Sequence, residues 1–293
     1  MKSILLASTA LLLSVGFASA QTTAGTGGLF EAAAASNDYA DARRGGSRAL
    51  ADDPGADEVA SARSGLHTAE ARNGSGEANI FLDGYGDIDL SRSAGDPNYN
   101  EQLQWGDDNE ASLYQNGSAN GNIQFQNGDF NDATTAQVGN ENVAVSYQVG
   151  TYNTVDIAQT GNINAAAVAQ NGFDNDSTIV QNGNFNAAAV VQNGDQNVSS
   201  IFQQNEHNAA SHVQEGDDNF ASTTQLSSDN MAAILQNNAS NSSSNTAYQL
   251  QYGGTLNSAA VVQANYGSGT GNVSHQTQIG NNNQAAAYQV SQN

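Results

Sequence analysis

The chain has 293 residues, with 29 Asp and Glu against 7 Lys and Arg and a formal net charge of −22. It has no cysteine, which excludes a disulfide framework and thiol chemistry. No Lys or Arg follows Arg92, so there is no basic patch for nucleic acid, and an anionic membrane surface is disfavoured as a partner.

Residues 1–20 read as a secretory signal. Lys2 is the charged start, Ile4 to Phe17 is an apolar run, and Ala18-Ser19-Ala20 is a cleavage site before Gln21. A membrane anchor is the alternative, but the run is short for a span, and no stretch of the mature chain is long and apolar enough to cross a bilayer. Residues 21–75 are rich in Gly, Ala, Ser and Asp and hold Arg43, Arg44, Arg48, Arg63 and Arg72. They show no sustained apolar face and are expected to form a mostly disordered leader.

From residue 76 onward a single unit repeats. It is clearest from Asn153 to Gln203, as NTVDIAQ, NAAAVAQ, NDSTIVQ, NAAAVVQ and NVSSIFQ, separated by the spacers TGNI, NGFD, NGNF and NGDQ. Seven residues plus four give a period of 11. Within each seven, alternation places positions 1, 3, 5 and 7 on one strand face and 2, 4 and 6 on the other. A helix would have to carry a Gly and several Asn in every period, which disfavours it. Two periods, read as strand, corner, strand, corner, make one 22-residue coil. Stacked coils bury the inner face that one coil cannot. The expected fold is therefore an all-β solenoid of two-strand coils.

The register runs without slippage through 98–236. The inward first and last positions form a structural amide ladder: Asn109 and Gln115, Asn120 and Gln126, Asn131 and Gln137, Asn142 and Gln148, Asn153 and Gln159, Asn164 and Gln170, Asn175 and Gln181, Asn186 and Gln192, Asn197 and Gln203, Asn208 and Gln214, Asn219 and Gln225, Asn230 and Gln236. Stacked amides exchange hydrogen bonds along the axis, so a polar interior is satisfied. The corner glycines are Gly106, Gly117, Gly128, Gly139, Gly150, Gly161, Gly172, Gly183, Gly194 and Gly216, placed where a tight corner needs positive φ. Residues 76–97 keep the spacing without the amides. Residues 237–293 keep the unit but with corners of eight, five and eight residues before a return to four. Insertions there hang outside the coil. This makes 19 strands, nine to ten coils and a stack roughly 45 Å tall.

Inward position 5 is aliphatic in the middle (Ile157, Val168, Ile179, Val190, Ile201) and polar toward the ends (Gln124, Thr135, Ser146 and His212, Thr223, Gln249). Outward position 6 of alternate units forms an apolar stripe that includes Phe125, Tyr147, Val191, Val213 and Leu235, while the other sheet has Arg92, Tyr114 and Ala136 at the equivalent place. The stripe reads either as a lateral contact surface or as an idle row of exposed apolar groups. Acidic corners such as Gly106–Asn109 and Gly216–Asn219 lack the spacing of calcium-binding β-rolls and read as solvated. His67, His207, His212 and His275 are scattered. The chain carries no nucleophile motif, phosphate loop or zinc ligand set, so the expectation is no enzyme, no cofactor and no metal.

The pattern Gln-x-Gly-x-x-Asn-x-Ala-x-x-x-Gln resembles the curlin repeat of curli fibre subunits. It occurs as Gln159, Gly161, Asn164, Ala166 and Gln170, and again as Gln181, Gly183, Asn186, Ala188 and Gln192. The resemblance implies a secreted functional amyloid, exported through the periplasm and an outer-membrane pore. Such a subunit polymerises with itself at the cell surface on a nucleator subunit and serves adhesion, aggregation and biofilm matrix. The rival reading is a monomeric, capped β-solenoid adhesin or binding module.

Overall fold

A computed structural model describes residues 98–238, 244–266 and 271–291 with their side chains, except the side chain of Tyr99. Upstream it describes the backbone of seven strands between residues 21 and 93. Residues 1–20, read above as a secretory signal, lie outside the described residues, as do the side chains of residues 21–75. The described residues contain strands and no helix, and the fold is an all-β solenoid of stacked parallel coils. The chain divides into two compact units, residues 1–141 and 142–293.

In the first unit the leader backbone carries six short strands: β1 (Gln21–Ala24), β2 (Glu31–Ala34), β3 (Tyr39–Arg43), β4 (Arg48–Ala51), β5 (Val59–Arg63) and β6 (His67–Asn73). They pair in parallel with alternate neighbours, β1 with β3 and β2 with β4, which is the topology of a two-strand coil. Four longer strands follow: β7 (Gly76–Ser93), β8 (Asn98–Asn116), β9 (Gly121–Asp129) and β10 (Asp132–Val138). β8 is long because it runs through a corner. Its first half pairs with β9 and its second half with β10, both at a sequence offset of 22.

β7 departs from the sequence reading. It pairs with β8 at the same offset up to Gly84↔Gly106, then slips by one so that Gly86 meets Asn109. Ser91, not Arg92, therefore lies across from Tyr114. With Gly86 at the Asn109 position, the corner is the three residues 83–85 opposite the four residues 105–108, one fewer than in the later corners.

The second unit contains β11 (Val143–Thr151), β12 (Thr154–Thr160), β13 (Ala165–Phe173), β14 (Asp176–Asn182), β15 (Ala187–Asn193), β16 (Val198–Gln204), β17 (Ala209–Gly216), β18 (Phe220–Gln225), β19 (Met231–Asn238), β20 (Thr246–Tyr252), β21 (Ser258–Asn265), β22 (Val273–Ile279) and β23 (Gln284–Ser291). Odd strands form one sheet and even strands the other. Up to β19 the offset between paired strands stays at 22, as in Gln170↔Gln192 and Gln181↔Gln203. Beyond it the offset grows to 26 or 27, as in Gln225↔Gln251 and Gln236↔Gln263, yet the ladder positions still match. The extra residues fall between the strands in sequence, and the strand register is untouched.

Between the two sheets lies a thin core. One apolar cluster is built on Val155, Ile157, Val168, Ile179, Val190 and Ile201, with alanines at position 3. The polar stretch expected after Ile201 is interrupted. Ile234 and Val261 are buried and form a second small cluster with Ala221 and Ala247. Aliphatic character thus returns in the odd sheet while the even sheet stays polar at Thr223 and Gln249.

Candidate functional site

The alternation of each strand buries its Asn and Gln. All 24 amides of the strict register, Asn109 through Gln236, are at most 2% exposed. Side-chain amides this deep are stable only if their donors and acceptors are all engaged.

The glutamines form one ladder in each sheet. In the even sheet Gln159 Nε2 donates to Gln181 Oε1 at 2.8 Å, Gln181 to Gln203 at 2.9 Å, Gln203 to Gln225 at 2.9 Å and Gln225 to Gln251 at 2.8 Å. The odd sheet repeats this from Gln148 through Gln170, Gln192, Gln214, Gln236 and Gln263 to Gln289. The second N–H crosses the core. Gln181 reaches the Ala165 carbonyl at 2.9 Å and Gln192 the Asp176 carbonyl at 2.9 Å. Each Gln therefore ties its own coil to the next and one sheet to the other. In the first unit Gln104 donates to Gln126 and Gln115 to Gln137 in the same way.

The asparagines run the opposite way. Asn164 Nδ2 donates back to Asn142 Oδ1 at 3.0 Å, Asn175 to Asn153 at 3.0 Å and Asn219 to Asn197 at 2.9 Å. Backbone groups fix these orientations. The N–H of Asn186 donates to Asn164 Oδ1 at 3.1 Å, so an oxygen must face the following coil. The Asn164 amide also donates to the Gly183 carbonyl at 2.8 Å and so holds the corner of the next coil. Asparagine at position 1 is thus a corner clamp as well as a rung. The stack is polar: toward the C-terminus it presents Gln N–H groups and Asn Oδ1 atoms.

The ten corner glycines named above all have positive φ, from 85° to 138°. At Gly161 a Cβ would overlap the carbonyl of Gly183 in the next coil. A second left-handed residue closes each corner, and sequence reasoning missed it. It is a non-glycine in every case, including Ile163 (φ 57°), Phe185 (φ 57°) and Asp218 (φ 57°). A β-branched residue such as Ile163 pays conformational energy there. It is held because the corner backbone pairs coil to coil, as in Gly183 N–H to Thr160 O at 2.8 Å and Phe185 N–H to Asn162 O at 3.0 Å. Only the recurrence of a fourth spacer position ahead of the clamp asparagine could have signalled it.

The ladders end differently in the two units. In the first, the Oε1 atoms of Gln102 and Gln104 are buried without a partner. Their register partners in β7 are Ile80 and Leu82, which carry no amide. In the second, β22 and β23 pair on one side only, with β20 and β21. Among the described residues nothing pairs with their outer edges. Asn283, Ala285, Ala287 and Gln289, at inward positions, remain half-exposed there. Gln278 and Gln289 use one N–H each on the Ser258 and Val273 carbonyls, at 2.7 and 2.8 Å.

Inside the second unit His212 occupies position 5 between Val190 and Ile234. Its Nδ1 is 2.8 Å from Ser199 Oγ and its Nε2 2.8 Å from Thr223 Oγ1. Thr223 donates onward to Gln249 Oε1 at 3.2 Å, so its oxygen accepts from His212 Nε2–H. Burial lowers the His212 pKa to about 3. On the outer face of the even sheet, partial desolvation by neighbouring side chains raises the carboxyl pKa of Asp156, which stays exposed. Asp176 is raised by burial and then by the charges of Asp156 and Asp174.

The outer faces differ. In the first unit Phe125 is half-buried against the Trp105 ring, 4.9 Å between centroids. In the second, Tyr147, Val191 and Leu235 are exposed and Val213 is half-buried. They are one column of a face whose positions 2 and 4 carry mostly small apolar residues. A groove of about 470 Å³ runs beside the column over the odd sheet, lined by Val143, Val145, Met231, two serines and twelve alanines. No charged residue stands at outward position 2, 4 or 6 of β11, β13, β15, β17, β19 or β21. Glu215 lies past the last rung of β17, at the edge of the corner.

No curated protein matches the chain. The curlin associated repeat matches at residues 128–161 and again at 150–183, one coil further on. Those residues carry the Gly corners, Asn clamps and Gln rungs described above, and the same geometry continues beyond them; over 128–183 the chain is similar to the curlin associated repeat.

Proposed function

We propose that this chain is a secreted subunit that polymerises end to end into extracellular curli-like amyloid fibres serving adhesion, cell aggregation and biofilm matrix. Curlin repeats on a β-solenoid mark a structural subunit of the curli type. The observation that carries the finer reading is the outer edge of β22 and β23, unpaired among the described residues, where the odd-sheet Asn and Gln ladders of opposite direction stop at half-exposed Asn283 and Gln289. An unpaired strand edge is a template for a further strand. Here the template is also directional. Gln N–H groups of the last coil require Gln Oε1 acceptors, and Asn Oδ1 atoms require N–H donors, from the incoming chain. A copy docking in the same orientation supplies both, whereas a reversed copy brings donor against donor. The fibre is polar, and growth at this edge is templated. A nucleator subunit and an outer-membrane export pore are the partners such a subunit implies.

The test is a polymerisation time course of residues 21–293 diluted from denaturant, with and without preformed seeds, followed by fibre diffraction. Seeded growth without a lag, with reflections at about 4.7 Å and about 10 Å, is the expected result. A β-rich species that stays monomeric at high concentration would overturn the reading and favour a capped solenoid adhesin.

A further inference from the structure

The odd sheet of the second unit leaves a flat apolar face with a groove along the stacking direction. We infer that this face is covered by the same face of a second copy, so that two stacks pair laterally about a two-fold axis parallel to the stacking direction. The inference goes beyond end-to-end growth and does not require it.

Three observations carry it. The first is area. Seven strands about 4.8 Å apart and about seven residues long at about 3.3 Å each give a face on the order of 750 Å². One partner of a stable protein interface contributes about 800 Å², so the face is large enough without help from other surfaces. The second is charge. Positions 2, 4 and 6 of the face are free of charge from Val143 to Val262 in a chain of net charge −22, whereas the even sheet exposes Asp156 and Asp176 outward. Two copies meeting through the odd sheets desolvate no carboxylate at these positions, and the acidic corners, with Glu215, stay at the solvated rim.

The third is shape. On β15 and β17 position 6 is bulky (Val191, Val213) and position 2 small (Ala187, Ala209), while β13 has Ala169 and Ala165 and β11 has Tyr147 and Val143 at these positions. An axis parallel to the stack reverses strand direction in the partner and keeps coil height. It therefore sets column 6 of one copy over column 2 of the other: Val191 over Ala187 and Val213 over Ala209. Position 4, with Ala189, Ser211 and Ala233, lies on the axis and allows the sheets to approach. The interface is isologous and self-complementary, and its small residues interdigitate as in a dry steric zipper. At Leu235 the opposing residue is Met231, whose flexible side chain adapts to a bulky neighbour. Both stacks also keep the same polarity, so lateral pairing and directional growth are compatible.

The chain has no native cysteine, so a single introduced thiol reports geometry without background. Ser211→Cys lies on the proposed axis, and Ser200→Cys is the matching position of the even sheet. Each variant is assembled, oxidised and dissolved in formic acid, and the disulfide-linked dimer is measured on a non-reducing gel. The Ser211→Cys variant is expected to give at least tenfold more dimer. End-to-end addition cannot produce this, because it separates the Ser211 residues of successive copies by many coils. In a second arm, Ser211→Glu and Ser211→Lys each give single filaments, and an equal mixture restores paired ones. Equal dimer yields from the two thiols, or paired filaments in the Ser211→Glu variant alone, would overturn the inference. Seeded growth read in parallel separates the two proposals. Growth without excess cross-linking sinks lateral pairing alone. Excess cross-linking without growth sinks only end-to-end assembly.

Discussion

The buried His212 makes a quantitative statement about pH. In the unfolded chain a histidine titrates near 6.5, whereas burial holds His212 at about 3. The folded state therefore binds this proton less readily than the unfolded one. Stability from this site is full above pH 6.5 and is lost as pH falls from 6.5 toward 3. With one pH unit equivalent to about 1.36 kcal/mol, the loss is about 2 kcal/mol at pH 5 and about 3 kcal/mol at pH 4. The control is His212→Gln, an uncharged side chain whose amide can accept from Ser199 and donate to Thr223. Guanidinium unfolding of assembled protein at pH 7 and pH 5 gives the pH dependence of each form. Carboxylate effects are common to both and cancel in the difference. The wild type is expected to lose about 2 kcal/mol more than His212→Gln between these pH values. Indistinguishable pH dependence in the two proteins would refute the reasoning, as would a His212 NMR titration near 6.5 in the folded state.

Asp176→Asn is expected to stabilise the fold at pH 7, because the raised pKa of this carboxyl marks an ionised form disfavoured by burial and by Asp156 and Asp174. Raised carboxyl values also mean that the native state binds protons more readily, so the gain should shrink on acidification; denaturant midpoints at pH 7 and 4 check both. Gly161→Ala is expected to cost about 2–4 kcal/mol, because it strains a φ of 117° and meets the Gly183 carbonyl. Gly253→Ala, whose Cβ would meet only Ile279 Cγ2 at 3.7 Å, should cost about 1 kcal/mol; equal losses in denaturant midpoint would contradict the stacking argument. Gln181→Ala removes one rung from the buried ladder, with its bonds to Gln203 and Ala165, and is expected to cost about 2–4 kcal/mol. Gln289→Ala, at the unpaired edge, should slow seeded elongation far more than it lowers the stability of the preformed stack. Unchanged elongation would place growth elsewhere.

Much of this molecule was legible in one dimension. An unbroken 11-residue period, with Asn, Gln and Gly in fixed places, determines strand length, corner position and the 22-residue register, because a two-strand coil can repeat only at the sum of its parts. Alternation within each seven determines which amides face inward, and the swollen C-terminal corners read as insertions because the units beside them kept their length. Other features belong to the tertiary structure. An amide is donor and acceptor at once, so composition says nothing of ladder direction; the backbone N–H of Asn186 and the carbonyl of Ala165 decide it. The left-handed Ile163 is invisible in sequence because its side chain argues against the conformation its neighbours impose. His212 meets Ser199 and Thr223 only because two sheets face each other with a particular stagger. The slip at Gly84–Gly86 replaces Arg92 by Ser91 across from Tyr114, since one residue fewer in a corner shifts everything after it. The apolar face is likewise a property of three columns side by side. Read along the chain its alanines are ordinary small residues, and stacking at the coil spacing makes them one surface.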